Sequence, residues 1–322
     1  MARLTLHRSK DAALLSQSLR DERRFTRVRR GVYADASTWN RLKPWERYRV
    51  RVDAVLATWD SPVLCLESAA VFLGLPIFGE PRDIHLLDVG GKSRRYGDVV
   101  VHATRDDIGV SATASGVETT GLPETALALC RVLPPAMALA VADRGARILA
   151  AETRTLDLSH LAAIDANRRG IRRVKWVDER CDPKSESAGE SVSRAVIEWL
   201  GFEAPELQVP FEYEGERDRP DFFWRRLRMI GESDGYGKYN ARDAEQMKAH
   251  FVREKTREDR LRRQVDGFAR WDWSDTMRAM PLGDKLHNAG LVPVANRNLA
   301  LLATLRSNNR SFPATARTPR PR

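Results

Sequence analysis

Gly189-Glu190-Ser191, Pro220-Asp221, Glu232-Ser233-Asp234-Gly235, Glu254-Lys255 and Trp271-Asp272-Trp273 punctuate the stretch whose reading decides the fold. Acidic residues stand at the ends of short apolar segments, where a strand alone has no use for clustered carboxylates. Ser187 and Glu190 open a helix, the serine at capping distance and the acid in the first turn, so Glu190 reads equally as a cap and as a site residue. Gly201 is its stop. Three strand-like segments follow at 207–213, 219–224 and 227–234, with a turn at Gly215. A charged helix covers 241 to about 264, and a last strand covers 268–273. The order is αβββαβ.

With Arg226-Leu227 at the tip of the second hairpin, Asp221 falls opposite Glu232, and Asp234 points the same way two residues on. Two carboxylates about 5 Å apart repel by roughly 3 kcal/mol at an effective dielectric of about 20. A raised pKa, a basic neighbour or a metal ion must offset this. A metal reading gives Asp221 and Glu232 as ligands of Mg²⁺ or Mn²⁺, with Asp234 assisting and Glu190 as an outer ligand. On the charged helix Met247, Phe251, Lys255 and Asp259 share a stripe. Lys255 or Lys238 would then serve the nucleophile or the phosphate. The bland reading is an ion-pair network with Arg225, Arg226 and Arg228.

Outward from this unit the chain is basic. Its 322 residues carry a formal net charge of +10, which favours polyanionic partners, DNA first. Residues 9–24 read as a helix. Arg23, Arg24, Arg27, Arg29 and Arg30 then interleave with Phe25, Val28 and Tyr33, and Gly31 permits a tight reversal: an arginine-rich ribbon suited to a phosphate backbone. Between 50 and 175, helices are expected at 49–58, 64–73, 123–132, 136–150 and 158–167. Strands are expected at 83–89 and 99–103, joined by a turn at Gly90-Gly91. His85 and His102 read as structural or surface residues. A second basic run, Arg168-Arg169-Gly170-Ile171-Arg172-Arg173, precedes a polar loop at 178–187, where the domain boundary is placed. Residues 309–322, rich in arginine and proline, should be disordered. Three cysteines without a C-x-x-C pair suit a reducing cytoplasm. No secretory leader or comfortable membrane span is apparent.

Glu190, Asp221, Glu232, Asp234-Gly235, Glu254-Lys255 and Trp271-Asp272-Trp273 occur in the order seen in the PD-(D/E)XK nuclease superfamily. Residues 186–276 resemble its very-short-patch-repair-like members. Asp234 stands where that superfamily has a lysine, and the resemblance leaves Lys238 or Lys255 to replace it. Arg29-Arg30-Gly31-Val32-Tyr33, Leu66-Glu67-Ser68-Ala69-Ala70, Leu73-Gly74-Leu75-Pro76 and Gly121-Leu122-Pro123-Glu124-Thr125-Ala126 resemble AbiEi-type antitoxins. In those, an N-terminal winged helix binds DNA and the protein counters a toxin. Here one clear helix precedes the ribbon, where a full winged helix has three.

The expectation is an α+β / α/β chain. Residues 1–48 form a reduced winged-helix-like region, 49–177 an α+β middle domain, 186–308 a restriction-endonuclease-like αβββαβ domain, and 309–322 a basic tail. The resemblances imply a DNA-binding protein with a metal-dependent endonuclease activity, in defence against foreign DNA. The alternative they imply is an antitoxin-like regulator with an inactive nuclease fold and a toxin protein as partner.

Overall fold

The computed structural model describes residues 5–8, 24–104, 109–213, 215–234 and 244–313, with backbone alone for 244–251. It is an α+β fold, dividing into two compact units, 1–129 with 309–322 and 130–308. The division falls between Leu129 and Cys130, so residues 130–177 belong with the C-terminal unit, ahead of the polar loop that marks a boundary in the sequence.

In the first unit β1 (Leu6–Arg8), β2 (Phe25–Arg29) and β3 (Val32–Asp35) form a three-stranded antiparallel sheet in the order β1-β3-β2. The ribbon is as expected, with Gly31 at φ +76°, but β1 adds a third strand. Val28, Val32 and Ala34 bury one face against Trp39, Val50 and Ala54. These come from α1 (Ala36–Arg41) and α2 (Pro44–Leu56). The expected helix at 9–24 lies outside the described residues, save Arg24, which is in a turn.

A six-stranded mixed sheet follows: β4 (Val63–Leu64), β5 (Ile84–Val89), β6 (Arg94–Tyr96), β7 (Val99–Thr104), β8 (Val110–Ala112) and β9 (Glu118–Thr120), in the order β6-β7-β5-β4-β9-β8. The pair expected around Gly90-Gly91 is not a hairpin. β5 and β7 run parallel, because β6 is inserted between them in sequence and returns the chain antiparallel to β7. α3 (Leu66–Leu73) ends at the left-handed Gly74, and its Ser68, Ala69 and Ala70 are core. α4 (Leu122–Val132) carries the chain into the second unit.

The C-terminal segment is a correction to the sequence reading. Ser311 is buried, and its hydroxyl accepts the Glu80 N–H at 2.9 Å. The Arg310 guanidinium clasps the buried Glu67 carboxylate, with Nη2 to Oε2 at 2.6 Å. A buried carboxylate needs a cation, and this fixes five residues of a segment too polar to form a core of its own. Residues 314–322 lie outside the described residues.

The second unit contains α5 (Pro135–Ala151), α6 (Leu158–Ile164), α7 (Ile171–Asp178) and α8 (Ala188–Trp199). α5 and α8 are tied by Arg194 to the buried Asp143 at 2.7 Å. Then come β10 (Glu206–Leu207), β11 (Phe211–Tyr213), β12 (Glu216–Asp218), β13 (Phe222–Trp224), β14 (Met229–Asp234), α9 (Ala244–Arg263) and β15 (Gly267–Asp272). The main sheet has the order β10-β13-β14-β15, antiparallel except for the parallel pair β14 and β15. The segment 207–213 divides into two strands because Gln208 takes a left-handed φ of +53°. α10 (Trp273–Arg278), α11 (Met280–Asn288) and α12 (Leu299–Ala303) complete the unit.

Candidate carboxylate site

β13 and β14 pair Phe222 with Gly231, Phe223 with Ile230 and Trp224 with Met229. One further step sets Asp221 opposite Glu232, the register expected from the hairpin tip, which is a short 3-10 turn at Arg225–Leu227. Alternation along β14 then sorts its side chains. Ile230 packs on Leu261 of α9, so Glu232, two residues on, also faces α9. Gly231 takes the other face, where a Cβ would stand 2.6 Å from the buried Trp271 ring. Trp271 in turn donates its indole N–H to Ser193 of α8 at 2.9 Å. The sheet is thereby held between α8 and α9, and Asp221 sits at the strand end with an acid from each side.

The Asp221 carboxylate accepts the Ser233 N–H at 2.8 Å. Gln208 reaches both Glu190, at 3.2 Å, and Asp221, at 3.5 Å. Glu190 also accepts the Glu186 N–H at 2.8 Å, while its own N–H is capped by the Ser187 hydroxyl at 3.1 Å. Glu190 therefore serves the helix start and the acid cluster together. Glu232 is buried; its Oε2 accepts from Arg257 at 2.9 Å, and its Oε1 has no hydrogen-bond partner. Burial first, and then the Asp221 charge, push both Glu190 and Glu232 up to about 7. Arg257 restrains that rise at Glu232.

Two expected members of the site stand elsewhere. Asp234 is taken up by Arg270, with contacts of 2.6, 2.8 and 2.9 Å. Lys255 is 57% exposed and pairs with Asp259 at 3.5 Å. The described face of α9 that meets the sheet carries Glu254, Arg257, Glu258 and Leu261, because ion pairs to Glu232 and Arg270 orient a helix that has a single buried apolar residue between 252 and 263. Lys238 lies outside the described residues, as do the side chains of Met247 and Phe251. Arg225, Arg226 and Arg228 do not satisfy the cluster: they pair with Glu206, Glu203 and Asp266, since the hairpin tip is the far end of the strands from the acids. Arg257 and Gln208 are the residues the sequence reading missed. The spacing of Arg257, four before the core Leu261, was the available signal.

Among the described residues no three His, Cys, Asp or Glu side chains gather as a metal cage. Two carboxylates and an orphaned buried oxygen nonetheless suit Mg²⁺, which keeps several waters and takes one or two protein carboxylates. On the ribbon, Arg24, Arg27 and Arg30 are exposed, whereas Arg29 is half-buried and loses basicity to burial. Arg23 lies outside the described residues. His85 and His102 pair ring to ring at 2.9 Å beside Glu67, and burial lowers His85 to about 4, a structural role.

No helix among the described residues is long and apolar enough to cross a membrane. No family model matches the chain. Similarity is found to two proteins of Mycobacterium tuberculosis, "Uncharacterized protein Rv2248" of strain ATCC 25618 / H37Rv and "Uncharacterized protein MT2308" of strain CDC 1551 / Oshkosh. Each is 31% identical over 197 residues, which is 61% of this chain and 68% of the relative. The chain belongs to the family of these mycobacterial proteins.

Proposed function

We propose that the second unit is a divalent-metal-dependent phosphodiester hydrolase acting on DNA. The observation that carries this reading is Glu232: a buried carboxylate with one oxygen unpartnered, set opposite Asp221, whose pKa burial and the Asp221 charge raise to about 7. Asp221 and Glu232 would hold Mg²⁺ or Mn²⁺. A bound ion supplies Lewis acidity and lowers the pKa of its water towards neutrality. Ser233 N–H and Gln208 fix the Asp221 carboxylate, and Gln208 couples it to Glu190. Arg257 orients Glu232 and places a cation beside the acids, where charge develops on a phosphate. The exposed Arg24, Arg27 and Arg30 supply a sequence-independent hold on DNA.

Incubating plasmid DNA with the purified chain and Mg²⁺ or Mn²⁺ tests the reading. Cleavage is expected, and it should vanish in an Asp221→Ala, Glu232→Ala double variant. Equal cleavage by that variant would assign the activity to a contaminant. A second reading, an antitoxin-like DNA-binding regulator without turnover, is favoured by the arginine already paired with Glu232. It requires salt-sensitive DNA binding with no cleavage in either metal.

A further inference from the structure

A ring of hydrogen bonds around the acids brings two further arginines to their rim. Arg257 donates to Glu232 at 2.9 Å and, through its other terminal nitrogen, to the Arg219 carbonyl at 3.3 Å. The Arg219 side chain reaches Glu186 at 3.3 Å, and the Glu186 N–H returns to Glu190 at 2.8 Å. Gln208 joins Glu190 to Asp221, at 3.2 and 3.5 Å, and the Ser233 N–H, next to Glu232, closes the ring on Asp221 at 2.8 Å. Arg147, from α5, meets Arg219 on the same Glu186 oxygen, at 3.1 Å. We propose that Arg147 and Arg219 bind a phosphate of the DNA backbone beside the one cleaved, with Glu186 holding both guanidinium groups ready until the strand arrives, an assignment that rests on the hydrolase reading of the carboxylate site.

Charge is the reason a second anchor is needed. When all are ionised, Asp221, Glu232 and Glu190 against Arg257 leave two negative charges, and a divalent ion cancels no more than these. Nothing is then left at the acids to attract a substrate that is itself an anion. At the rim the balance is reversed: two guanidinium groups face the single carboxylate of Glu186, the only acid within ion-pair reach of either among the described residues. That surplus is open to solvent, for the side chains of Arg147 and Arg219 are 37% and 50% exposed. Their pairing is also incomplete. Arg225 grips both oxygens of Glu206, at 2.8 and 2.7 Å, whereas Arg147 and Arg219 divide one oxygen of Glu186. A backbone phosphate offers an oxygen to each. Exposed ion pairs contribute little to stability, so a phosphate can take the place of Glu186. Arg219 lies two residues before Asp221, a Cα separation of at most about 7 Å, and Arg257 fixes its carbonyl, so anchor and acids keep a set spacing. Its side chain is tied to Glu186 and not to Asp221 or Glu232, which puts it on a phosphate next to the reacting one.

The test uses the full chain and a short fluorescent DNA duplex, with cleavage followed in Mg²⁺ or Mn²⁺ and binding followed by anisotropy with Ca²⁺ in their place. Arg147→Gln with Arg219→Gln should raise KM and weaken binding by at least about tenfold, with kcat within about twofold, the mark of a lost ground-state contact. The log–log salt slope of binding should fall by about one, for one lost phosphate contact. Glu186→Gln should act with the opposite sign, tightening binding about threefold, because the phosphate loses its competitor for the two arginines. Unchanged binding in the arginine variant overturns the proposal, and so does weaker binding in Glu186→Gln. A fall in kcat at constant KM also overturns it, making the arginines supports for the acids. All three side chains are at the surface, and a melting temperature equal to that of the wild type shows that binding is read on folded protein. Mg²⁺ uptake at Asp221 and Glu232, by calorimetry, should be the same in wild type and variants. If the wild type takes up no metal and cuts no DNA, the hydrolase reading fails; the phosphate subsite fails separately, on equal anisotropy in wild type and arginine variant.

Discussion

Glu67 in the first unit and Glu232 in the second are equally buried, 4% and 5% exposed, yet their acidities move in opposite directions. Both oxygens of Glu67 are taken by Arg310, which holds the carboxyl below its ordinary range in spite of burial. Glu232 has Arg257 on one oxygen, nothing on the other, and the Asp221 charge beside it, so it rises to about 7. Burial alone therefore does not mark a functional acid. Incomplete satisfaction next to a like charge marks a candidate, since such a group is improved by a cation that a saturated pair would exclude.

The largest effect should come from removing the crowded acids. Asp221→Asn with Glu232→Gln should reduce Mg²⁺-dependent cleavage by at least about a hundredfold, more than the 10–100-fold typical of outer-shell changes. The same variant should be no less stable than the wild type at pH 8, because the repulsion between two neighbouring carboxylates is gone. Glu67→Gln should do the converse, leaving cleavage intact in the surviving folded protein while lowering its melting temperature. Loss of cleavage in Glu67→Gln, by plasmid assay at a temperature where the chain is folded, would erase the distinction between the two acids.

Next in size is Arg310→Ala. Stripping one member from a buried pair costs about 3–5 kcal/mol, and in a unit of this size that lowers the melting temperature by roughly 10 °C. Arg257→Ala should cost less, because Glu232 can keep a proton near neutrality and Glu67 cannot. Thermal denaturation of both variants at pH 7 measures the difference; a larger loss for Arg257→Ala would show that the Glu232 pair is the saturated one.

The two units should also answer pH with opposite sign. Glu67, depressed in the folded state, contributes stability above the ordinary glutamate value of 4.5 and loses it as pH falls through its lower folded pKa. Glu190 and Glu232, raised from 4.5 to about 7, bind extra protons when folded. Their effect is to make the chain less stable as pH rises through that window. Without metal, the melting temperature should drift down between pH 5 and pH 7.5, and Mg²⁺ should reverse the drift while releasing protons, seen by calorimetry in buffers of different ionisation enthalpy. A melting temperature that ignores Mg²⁺ at pH 7.5 would count against cation binding.

Much of this architecture was legible in the sequence. Helices α3, α4, α5 and α8 have clear apolar spacing and glycine or proline boundaries, and the 222–231 register followed from the hairpin tip alone. β6, β12 and α7 were not legible: they are short or arginine-rich, and pairing or packing rather than pattern makes them. At the site, Asp221 and Glu232 were readable from the hairpin register, and Glu190 from its place in the first turn of α8. The counter-charges were not, because a helix with many charges and few apolar anchors does not announce which face turns inward. Arg310 escaped for a related reason: a basic tail looks solvated until a buried acid is found to need it.

The smallest expected effect is the sharpest check on which face of α9 turns inward. Lys255 is exposed, and its pair with Asp259 has the cation N-terminal to the acid, the weaker order on a helix. Lys255→Ala should therefore change stability by no more than about 0.5 kcal/mol and leave metal-dependent cleavage within twofold, while Arg257→Lys, which keeps charge but not the two-pronged contact, should lower it further. The pair of variants distinguishes two rotations of one helix. If Lys255→Ala were the damaging change and Arg257→Lys the silent one, α9 would present its 247–251–255 stripe to the sheet, and Glu232 would have to be neutralised by lysine instead of arginine.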